Sequence, residues 1–181
     1  MTNTSLLVID VQRSFEHRPY WTDRDLPSFR DKLTALVEGC AAARIPIARI
    51  FHVEPNGAFA LDSGLVSPMA WLPSMHDVEI HKHVHNSFTD TGLDRWLRTR
   101  EVRRVIVSGI RSEQCCETTA RVASDLGYEV DFVTEATLTF PMVHSGSGRA
   151  YSTDEIKERT ELVLGGRFAR IRTVSACLAG D

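Results

Sequence analysis

The sequence of 181 residues has little of what marks a membrane, nucleic-acid-binding or disulfide-stabilised protein. It contains no apolar run long enough to cross a bilayer. Its net charge of −3 gives no basic excess for binding phosphates. The first residues show no basic segment of the kind that opens a signal peptide. We therefore expect a cytoplasmic protein that binds neither membranes nor nucleic acid.

The cysteines are few and lack the spacing of a zinc site or a disulfide framework. They are Cys40, Cys115, Cys116 and Cys177. We expect all of them to be reduced thiols, as is usual in the cytosol. A redox role for the adjacent pair Cys115 and Cys116 is an alternative. It is disfavoured because the pair lacks the two-residue spacer of the usual redox motif.

Apolar runs alternate with amphipathic helical patterns along the chain, with no internal repeat or linker. The runs that predict strands lie at 5–9, 46–51, 78–84, 102–108, 129–133 and 168–174. Ser28 is expected to cap the first long helix, and residues 152–155 form a capping box. Strands that alternate with helices form a parallel sheet covered on both faces. We therefore predict one α/β domain over residues 1–181, a three-layer α/β/α sandwich with a six-stranded parallel sheet.

The most informative segment covers residues 109–121 and follows a short apolar run. It predicts that a strand ends, the chain turns at Gly109, and Cys115 stands in the first turn of a helix ending near Gly127. Helix N-termini carry a partial positive charge that lowers the pKa of a thiol and makes it a better nucleophile. The segment therefore indicates a cysteine-dependent hydrolase, with Cys116 as a small core residue.

Two other residues stand where an α/β sheet places its chemistry. Asp10 ends the first predicted strand and Lys82 lies in the third, and ligands of such sheets bind beyond the carboxyl ends of the strands. An acid could take the thiol proton and later protonate a leaving amine, while a lysine would favour the thiolate. Taken singly, a strand-end aspartate is more often a turn former, and a lysine is usually a solvated surface residue.

Together these segments resemble the motifs of the isochorismatase-like cysteine hydrolases, which include nicotinamidases, N-carbamoylsarcosine amidases and isochorismatases. The resemblance covers nearly the whole chain. The matching residues are Asp10, Val11 and Gln12 for the aspartate motif, Lys82 with residues 86–88 and 91–93 for the lysine motif, and residues 109–120 for the cysteine motif. In this match Cys115 takes the position of the nucleophile.

The resemblance implies a Rossmann-like strand order of 3-2-1-4-5-6, which makes the strands of Asp10 and Cys115 neighbours. It also implies a cis peptide bond between Ile110 and Arg111. The backbone N–H groups of Arg111 and Cys115 would then form an oxyanion hole. A small-molecule substrate is expected, and a homodimer or homotetramer is expected by analogy.

Alternating histidines in the third predicted strand raise the question of a metal. His81, His83 and His85 would share one face of that strand, and imidazole is a common metal ligand. The metal-binding members of the family use an aspartate two residues before a histidine after the second strand. Here Ile50 stands at that distance before His52. We therefore predict no metal and no other cofactor, and expect these histidines to pack, pair or contact substrate.

Aromatic side chains surround the predicted mouth of the site, where pocket lining and core packing are equally plausible roles. The candidates for substrate contact are Gln12, Phe15, Tyr20, Trp21, Phe51, Trp71, Phe88 and Gln114. Arg111 and Glu113 are the charged residues beside the nucleophile. The Gly- and Ser-rich segment 144–148 is expected to be flexible and to close over the site or a neighbouring subunit.

The sequence thus predicts a metal-independent hydrolase that cleaves a carbon–nitrogen bond, of the amide type, through a thioester on Cys115. The first alternative is vinyl-ether hydrolysis of isochorismate. That reaction needs the aspartate as an acid and no thiol, so the intact cysteine motif argues against it. The second alternative is a non-catalytic binding protein that retains the fold, which the presence of all three motif residues disfavours. The sequence does not identify the substrate.

Overall fold

The structure, a computed structural model, describes residues 3–179. Its strands are β1 (Thr4–Ile9), β2 (Ile47–His52), β3 (Val78–Lys82), β4 (Arg104–Ile110), β5 (Glu129–Leu138), β6 (Met142–Val143), β7 (Ala150–Tyr151) and β8 (Arg170–Ile171). Its α-helices are α1 (Leu26–Ala42), α2 (Leu93–Arg98), α3 (Glu117–Asp125), α4 (Thr153–Leu164) and α5 (Val174–Ala179). Short 3₁₀ turns cover Arg13–His17, Gly57–Phe59 and Leu61–Ser63, and a π-helical turn covers Ser112–Cys116.

The main sheet is parallel and confirms the predicted fold class. Its strand order is β3-β2-β1-β4-β5-β8, so β1 lies between β2 and β4. Along β1, Leu6 and Val8 pack into one hydrophobic cluster, while Leu7 and Ile9 pack into another. The first cluster includes residues of α1 and α5, and the second includes residues of α2, α3 and α4. Helices on both faces explain why β1 is a continuous apolar run.

Two helix starts test the predicted caps. The capping box is confirmed, because Ser152 Oγ accepts from the backbone N–H of Glu155 and the Glu155 carboxylate accepts from the backbone N–H of Ser152. Ser28, in contrast, does not cap α1. That helix begins at Leu26 and carries Pro27 in its first turn, where the missing N–H of proline costs no hydrogen bond.

The C-terminal part of the sheet differs from the prediction. The last strand of the sheet is only Arg170–Ile171, because the chain turns into α5 at Val174, a helix that the sequence analysis missed. The carboxylate of Glu135 accepts the Val174 N–H at 2.6 Å and helps to fix that turn. The strand β5 runs five residues past its predicted end, and its pairing with β4 shifts register between Val107 and Gly109.

A second, two-stranded sheet was also missed. Strands β6 and β7 pair antiparallel and enclose the predicted flexible segment 144–148, which is exposed. The imidazole of His144 organises this turn, because its Nδ1 accepts from the N–H groups of Gly146 and Ser147. Within residues 3–179, no helix is both long and apolar enough to span a bilayer.

Candidate active site

The carboxyl ends of three parallel strands bring the predicted acid, lysine and thiol together. Asp10 directly follows β1, Lys82 ends β3, and Cys115 lies in the π-helical turn after β4. In the sheet, β2 separates β3 from β1, so Lys82 starts two strand spacings, or about 10 Å, from the strand of Asp10. A long side chain is therefore needed to cross the end of β2. The sequence order of the motifs does not reveal this requirement.

The Lys82 ammonium lies between the carboxylate and the sulfur. Its Nζ is 2.9 Å from Oδ2 of Asp10 and 3.4 Å from Sγ of Cys115. It also donates to the carbonyl of Val84 at 3.1 Å and lies 3.2 Å from Nδ1 of His52. Asp10 and Lys82 have no exposed surface, and Cys115 is 6% exposed. The ammonium thus contacts both the carboxylate and the sulfur in a buried site.

Burial and the charge of Asp10 control the ionisation of this site. Burial is the main cause that raises the pKa of the Cys115 thiol; the carboxylate of Asp10 adds to it, and Lys82 opposes it. The lowered thiol pKa predicted from the helix position is therefore wrong for the free protein. For Lys82, burial lowers the pKa, but the carboxylate of Asp10 and the hydrogen bonds to Asp10 and to the Cys115 sulfur oppose it, so its pKa is raised. Both directions favour an ammonium and a protonated thiol in the resting site.

The backbone conformation at Asp10 directs its side chain toward Lys82. The residue adopts a φ of 55°, a left-handed conformation that aspartate tolerates better than most residues. Its N–H donates to the carbonyl of Ile50, and its own carbonyl accepts from the N–H of Gln12. Gly109, on the neighbouring strand, has a φ of 127°, and a Cβ there would lie 2.0 Å from the carbonyl oxygen of Ile9. Glycine is therefore required where β4 passes the end of β1.

The segment that carries the thiol is fixed by the extended end of β5. The peptide bond between Ile110 and Arg111 is cis, at the position that the resemblance implies. Ser112 Oγ lies 2.6 Å from Thr137 Oγ1, which donates to the carbonyl of Thr134. Cys115 stands in the π-helical turn and not in the first turn of α3. Cys116 is fully buried in the core, as predicted.

Arg111 and Glu113 neutralise each other beside Cys115. The guanidinium Nη2 is 2.9 Å from Oε1 of Glu113; Arg111 is buried and Glu113 is partly buried. Thr139 Oγ1 donates to the other carboxylate oxygen of Glu113 at 2.6 Å. The guanidinium also lies over the rings of Tyr20 and Phe140, at 4.8 and 5.8 Å from their centroids. The sequence analysis missed Thr139 and Phe140 because both lie beyond the predicted end of β5.

The residues predicted to contact substrate occupy several environments. Gln12 is buried, and its amide bonds Ser14 and both backbone polar groups of His52, so its polar atoms are used within the protein. Tyr20 and Trp21 both pack against Phe140, and Tyr20 is 38% exposed. Gln114 is half-buried in the π-helical turn.

The remaining four aromatic candidates pack mainly against other rings. They form the pairs Phe15 with Phe59, Phe51 with His81, Phe88 with Tyr128, and Trp71 with Phe29. The three phenylalanines among the candidates are buried, and Trp71 is half-buried against the core. Their roles in substrate binding stay predictions.

The histidines do not gather into one cluster. Within the described part of the chain, no group of three or more His, Cys, Asp or Glu side chains could hold a metal ion. His52 and His85 stack in parallel with centroids 6.3 Å apart. His81 lies 3.6 Å from Glu79 on the surface, and His83 bonds the carbonyl of Val53 at 3.3 Å.

A cavity of about 640 Å³ lies away from these groups, between the β6–β7 hairpin and α4. Its apolar lining includes Met142, Val143 and Leu162, and Glu113 is the lining residue closest in sequence to Cys115. Asp10, Lys82 and Cys115 are not among its lining residues. The volume of this cavity therefore gives no measure of the space around the thiol.

Comparisons with known proteins identify the family of this chain. The family model of the isochorismatase domain matches residues 4–164. Nicotinamidase 3 of Arabidopsis thaliana is 30% identical over 182 residues, which cover 88% of each chain. Streptothricin hydrolase of Streptomyces noursei is 30% identical over 141 residues, which cover 75% of this chain and 50% of that protein.

A solved structure shows the same fold over nearly the whole chain. It is that of a hydrolase of the isochorismatase family from Chromobacterium violaceum, with a TM-score of 0.88 and 26% identity. The match covers 98% of this chain and 93% of that one. The resemblance stated from the sequence is thereby confirmed. This protein belongs to the isochorismatase family of hydrolases.

Proposed function

We propose that this hydrolase cleaves a carbon–nitrogen bond of the amide type in a small molecule, through a thioester on Cys115. The observation that carries the proposal is the buried ammonium of Lys82, 2.9 Å from the Asp10 carboxylate and 3.4 Å from the Cys115 sulfur. A base, a cation and a thiol are what a cysteine nucleophile needs. The similarity to a nicotinamidase and to streptothricin hydrolase supports amide chemistry.

In the first half of the reaction, Asp10 takes the proton from the Cys115 thiol as the sulfur attacks the carbonyl carbon. The raised thiol pKa favours this coupled transfer over a standing thiolate, since the free thiol keeps its proton. The carbonyl π electrons move to oxygen, and the backbone N–H groups of Arg111 and Cys115 donate to that oxyanion. The intermediate collapses, the carbon–nitrogen bond breaks, and Asp10 returns the proton to the leaving amine.

In the second half, water hydrolyses the thioester. Asp10 takes a proton from the water, whose oxygen attacks the acyl carbon, and the carbon–sulfur bond then breaks. The proton on Asp10 passes to the sulfur, which regenerates the thiol and releases the acid. Lys82 stays protonated throughout and stabilises each anionic form of the two groups beside it. No cofactor enters this sequence of steps.

The paired charges beside the thiol favour a neutral acyl group. Arg111 is held by Glu113, and Lys82 is held by Asp10. Neither cation is therefore available to neutralise a dianion such as isochorismate without losing its present partner. The aromatic rings of Tyr20, Trp21 and Phe140 lie on the Arg111 side of the site and suit a flat or apolar group.

The test is a panel of small amides and ureides, assayed for release of ammonia or amine, with mass spectrometry of the quenched enzyme. We expect turnover of at least one neutral amide and a transient acyl adduct on Cys115. Cys115→Ser should lose both, and Cys116→Ala is the matched control that should keep both. Turnover of isochorismate by Cys115→Ala, with no release from any amide, would replace the proposal with the vinyl-ether alternative.

We also propose an oligomeric state and a cellular location, both expected from the sequence. A homodimer or homotetramer should appear in light scattering as two or four times the mass of one chain. Fractionation of the native cells should find the protein in the cytoplasm. Monomeric protein, or protein in a membrane or secreted fraction, would contradict these expectations without affecting the chemistry.

A further inference from the structure

The Lys82 ammonium has more acceptors around it than hydrogens to give. Within 3.4 Å of Nζ lie Oδ2 of Asp10, the carbonyl oxygen of Val84, Nδ1 of His52 and Sγ of Cys115. A lysine ammonium donates three hydrogens and accepts none. Because the ammonium has no lone pair, Nδ1 of His52 can hydrogen-bond to it at 3.2 Å only as the acceptor, which places the proton of a neutral ring on Nε2.

Several contacts hold the His52 ring in this orientation. Its backbone N–H donates to Oε1 of Gln12 at 2.7 Å, and its carbonyl accepts from Nε2 of the same amide at 3.0 Å. Its Nε2 lies 3.8 Å from Oε1 of Glu54, a carboxylate that Arg18 holds with two hydrogen bonds. The edge of the ring packs against Phe59. Nδ1 therefore faces Lys82 without any side-chain rearrangement.

We propose that His52 is a positioning residue for the triad: its neutral ring accepts one ammonium hydrogen of Lys82 and thereby fixes Nζ between Asp10 and Cys115. This inference rests on the proposed function. Together, His52 and the carbonyl of Val84 take the hydrogens that do not point to the carboxylate. When Cys115 loses its proton, its sulfur becomes the stronger acceptor and takes the hydrogen that His52 held. His52 thus steadies the resting ammonium without competing with the thiolate.

With His52 in this role, the activity of the site should depend on whether the His52 ring is neutral or protonated. The groups that face the ring are Lys82, Asp10, Glu54 and His85. Burial is the main cause that lowers the pKa of His52, and Lys82 lowers it further against the opposing carboxylates. A protonated ring offers no acceptor and sets a second cation beside Nζ. The neutral ring is the active form, so activity falls as pH drops through the His52 pKa, which lies below its ordinary value.

Three variants test the role in the whole protein. His52→Ala removes the acceptor, and we expect kcat to fall about 10- to 100-fold with little change in KM, as for a misplaced catalytic group. His52→Asn keeps an amide oxygen near the position of Nδ1 and does not titrate. It should retain most of kcat, and its acid limb should lie at lower pH. His81→Ala is the matched control, since His81 is exposed on β3, the strand that Lys82 ends, and pairs with Glu79.

A second measurement needs no substrate and so separates this inference from the amidase proposal. Nuclear magnetic resonance of isotope-labelled histidine in the intact protein should show the His52 ring with its proton on Nε2. In Lys82→Met the pKa of His52 should rise, because the cation that lowers it is gone. A proton on Nδ1, an unchanged His52 pKa in Lys82→Met, or an unchanged kcat and acid limb in His52→Ala would each overturn the role of His52.

Discussion

Nζ of Lys82 lies 2.9 Å from Oδ2 of Asp10, and neither side chain has any surface in contact with solvent. Two opposite charges buried together stabilise each other, while either charge alone would be left in a medium that solvates it poorly. The pair therefore stabilises the fold, in addition to the chemical role that we propose for it. Removal of the ammonium should therefore lower the stability of the fold.

Lys82→Met should destabilise the fold by about 3–5 kcal/mol, because it leaves the Asp10 carboxylate buried without its cation. The double variant Asp10→Asn with Lys82→Met removes both charges and should regain part of that loss. Urea unfolding of the two variants measures the difference. Equal stability of the single and double variants would contradict the coupling between these charges.

Asp10→Asn should reduce turnover about 10²- to 10⁴-fold, since the amide cannot accept the thiol proton. The fold should persist at reduced stability, because asparagine tolerates the φ of 55° at this position but leaves the Lys82 ammonium buried without its carboxylate. Asp10→Ala makes a useful comparison, as alanine has no such tolerance and should lower the melting temperature further. Steady-state kinetics and thermal unfolding give the two readouts, and near-normal turnover of Asp10→Asn would remove Asp10 from the mechanism.

The same variant should make Cys115 more reactive toward iodoacetamide. The charge of Asp10 raises the thiol pKa, so its loss lowers that pKa and increases the thiolate fraction at any pH below it. Alkylation of Cys115, followed by peptide mass spectrometry at mildly alkaline pH, should therefore be faster in Asp10→Asn than in the natural protein. Cys177, whose pKa burial raises to about 11, is the internal control and should label equally in both. Slower labelling of Cys115 in Asp10→Asn would show that the carboxylate does not raise the thiol pKa.

Activity should survive a chelator, since Ile50 stands where the metal-binding relatives are expected to carry an aspartate before His52. Elemental analysis of the purified protein should find no stoichiometric zinc or iron. The decisive comparison is activity before and after dialysis against chelator, with the metal added back as the control. A loss that the metal restores would disprove the metal-independent mechanism.

Two tryptophans predicted to contact substrate should behave differently. Trp21 packs on Phe140 beside the Arg111 side of the site, so Trp21→Ala should raise KM more than it lowers kcat. Trp71 packs edge-on against Phe29 in the core, so Trp71→Ala should mainly lower stability, by about 3 kcal/mol. Kinetics and urea unfolding of both variants, run side by side, distinguish the roles. A KM effect for Trp71 without loss of stability would place it in the pocket instead.

The parts of the fold that followed from the sequence are those encoded by local patterns. The buried strand β1 is a near-continuous apolar run, β2 and β4 are largely apolar, and the Ser152–Glu155 capping box marks the start of α4. The short strands β6 and β7 have only two residues each, too few for any periodicity to appear, while β8 lies within the predicted strand 168–174 but is much shorter. The extended end of β5 depends on pairing with β4 after a register shift, which no local pattern encodes.

The sequence by itself determined the strand–helix alternation, the family, and which residues stand at strand ends. Only the tertiary structure decided that Lys82 reaches across the end of β2 to Asp10, and that His52 and the Val84 carbonyl share its ammonium. It also reversed the predicted thiol pKa, since burial and the charge of Asp10 outweigh the effects that lower it. The physical reason is the separation along the chain of the residues that each effect connects. Hydrophobic periodicity and capping act between neighbours in the chain, whereas burial and charge–charge distances depend on groups that are far apart in sequence.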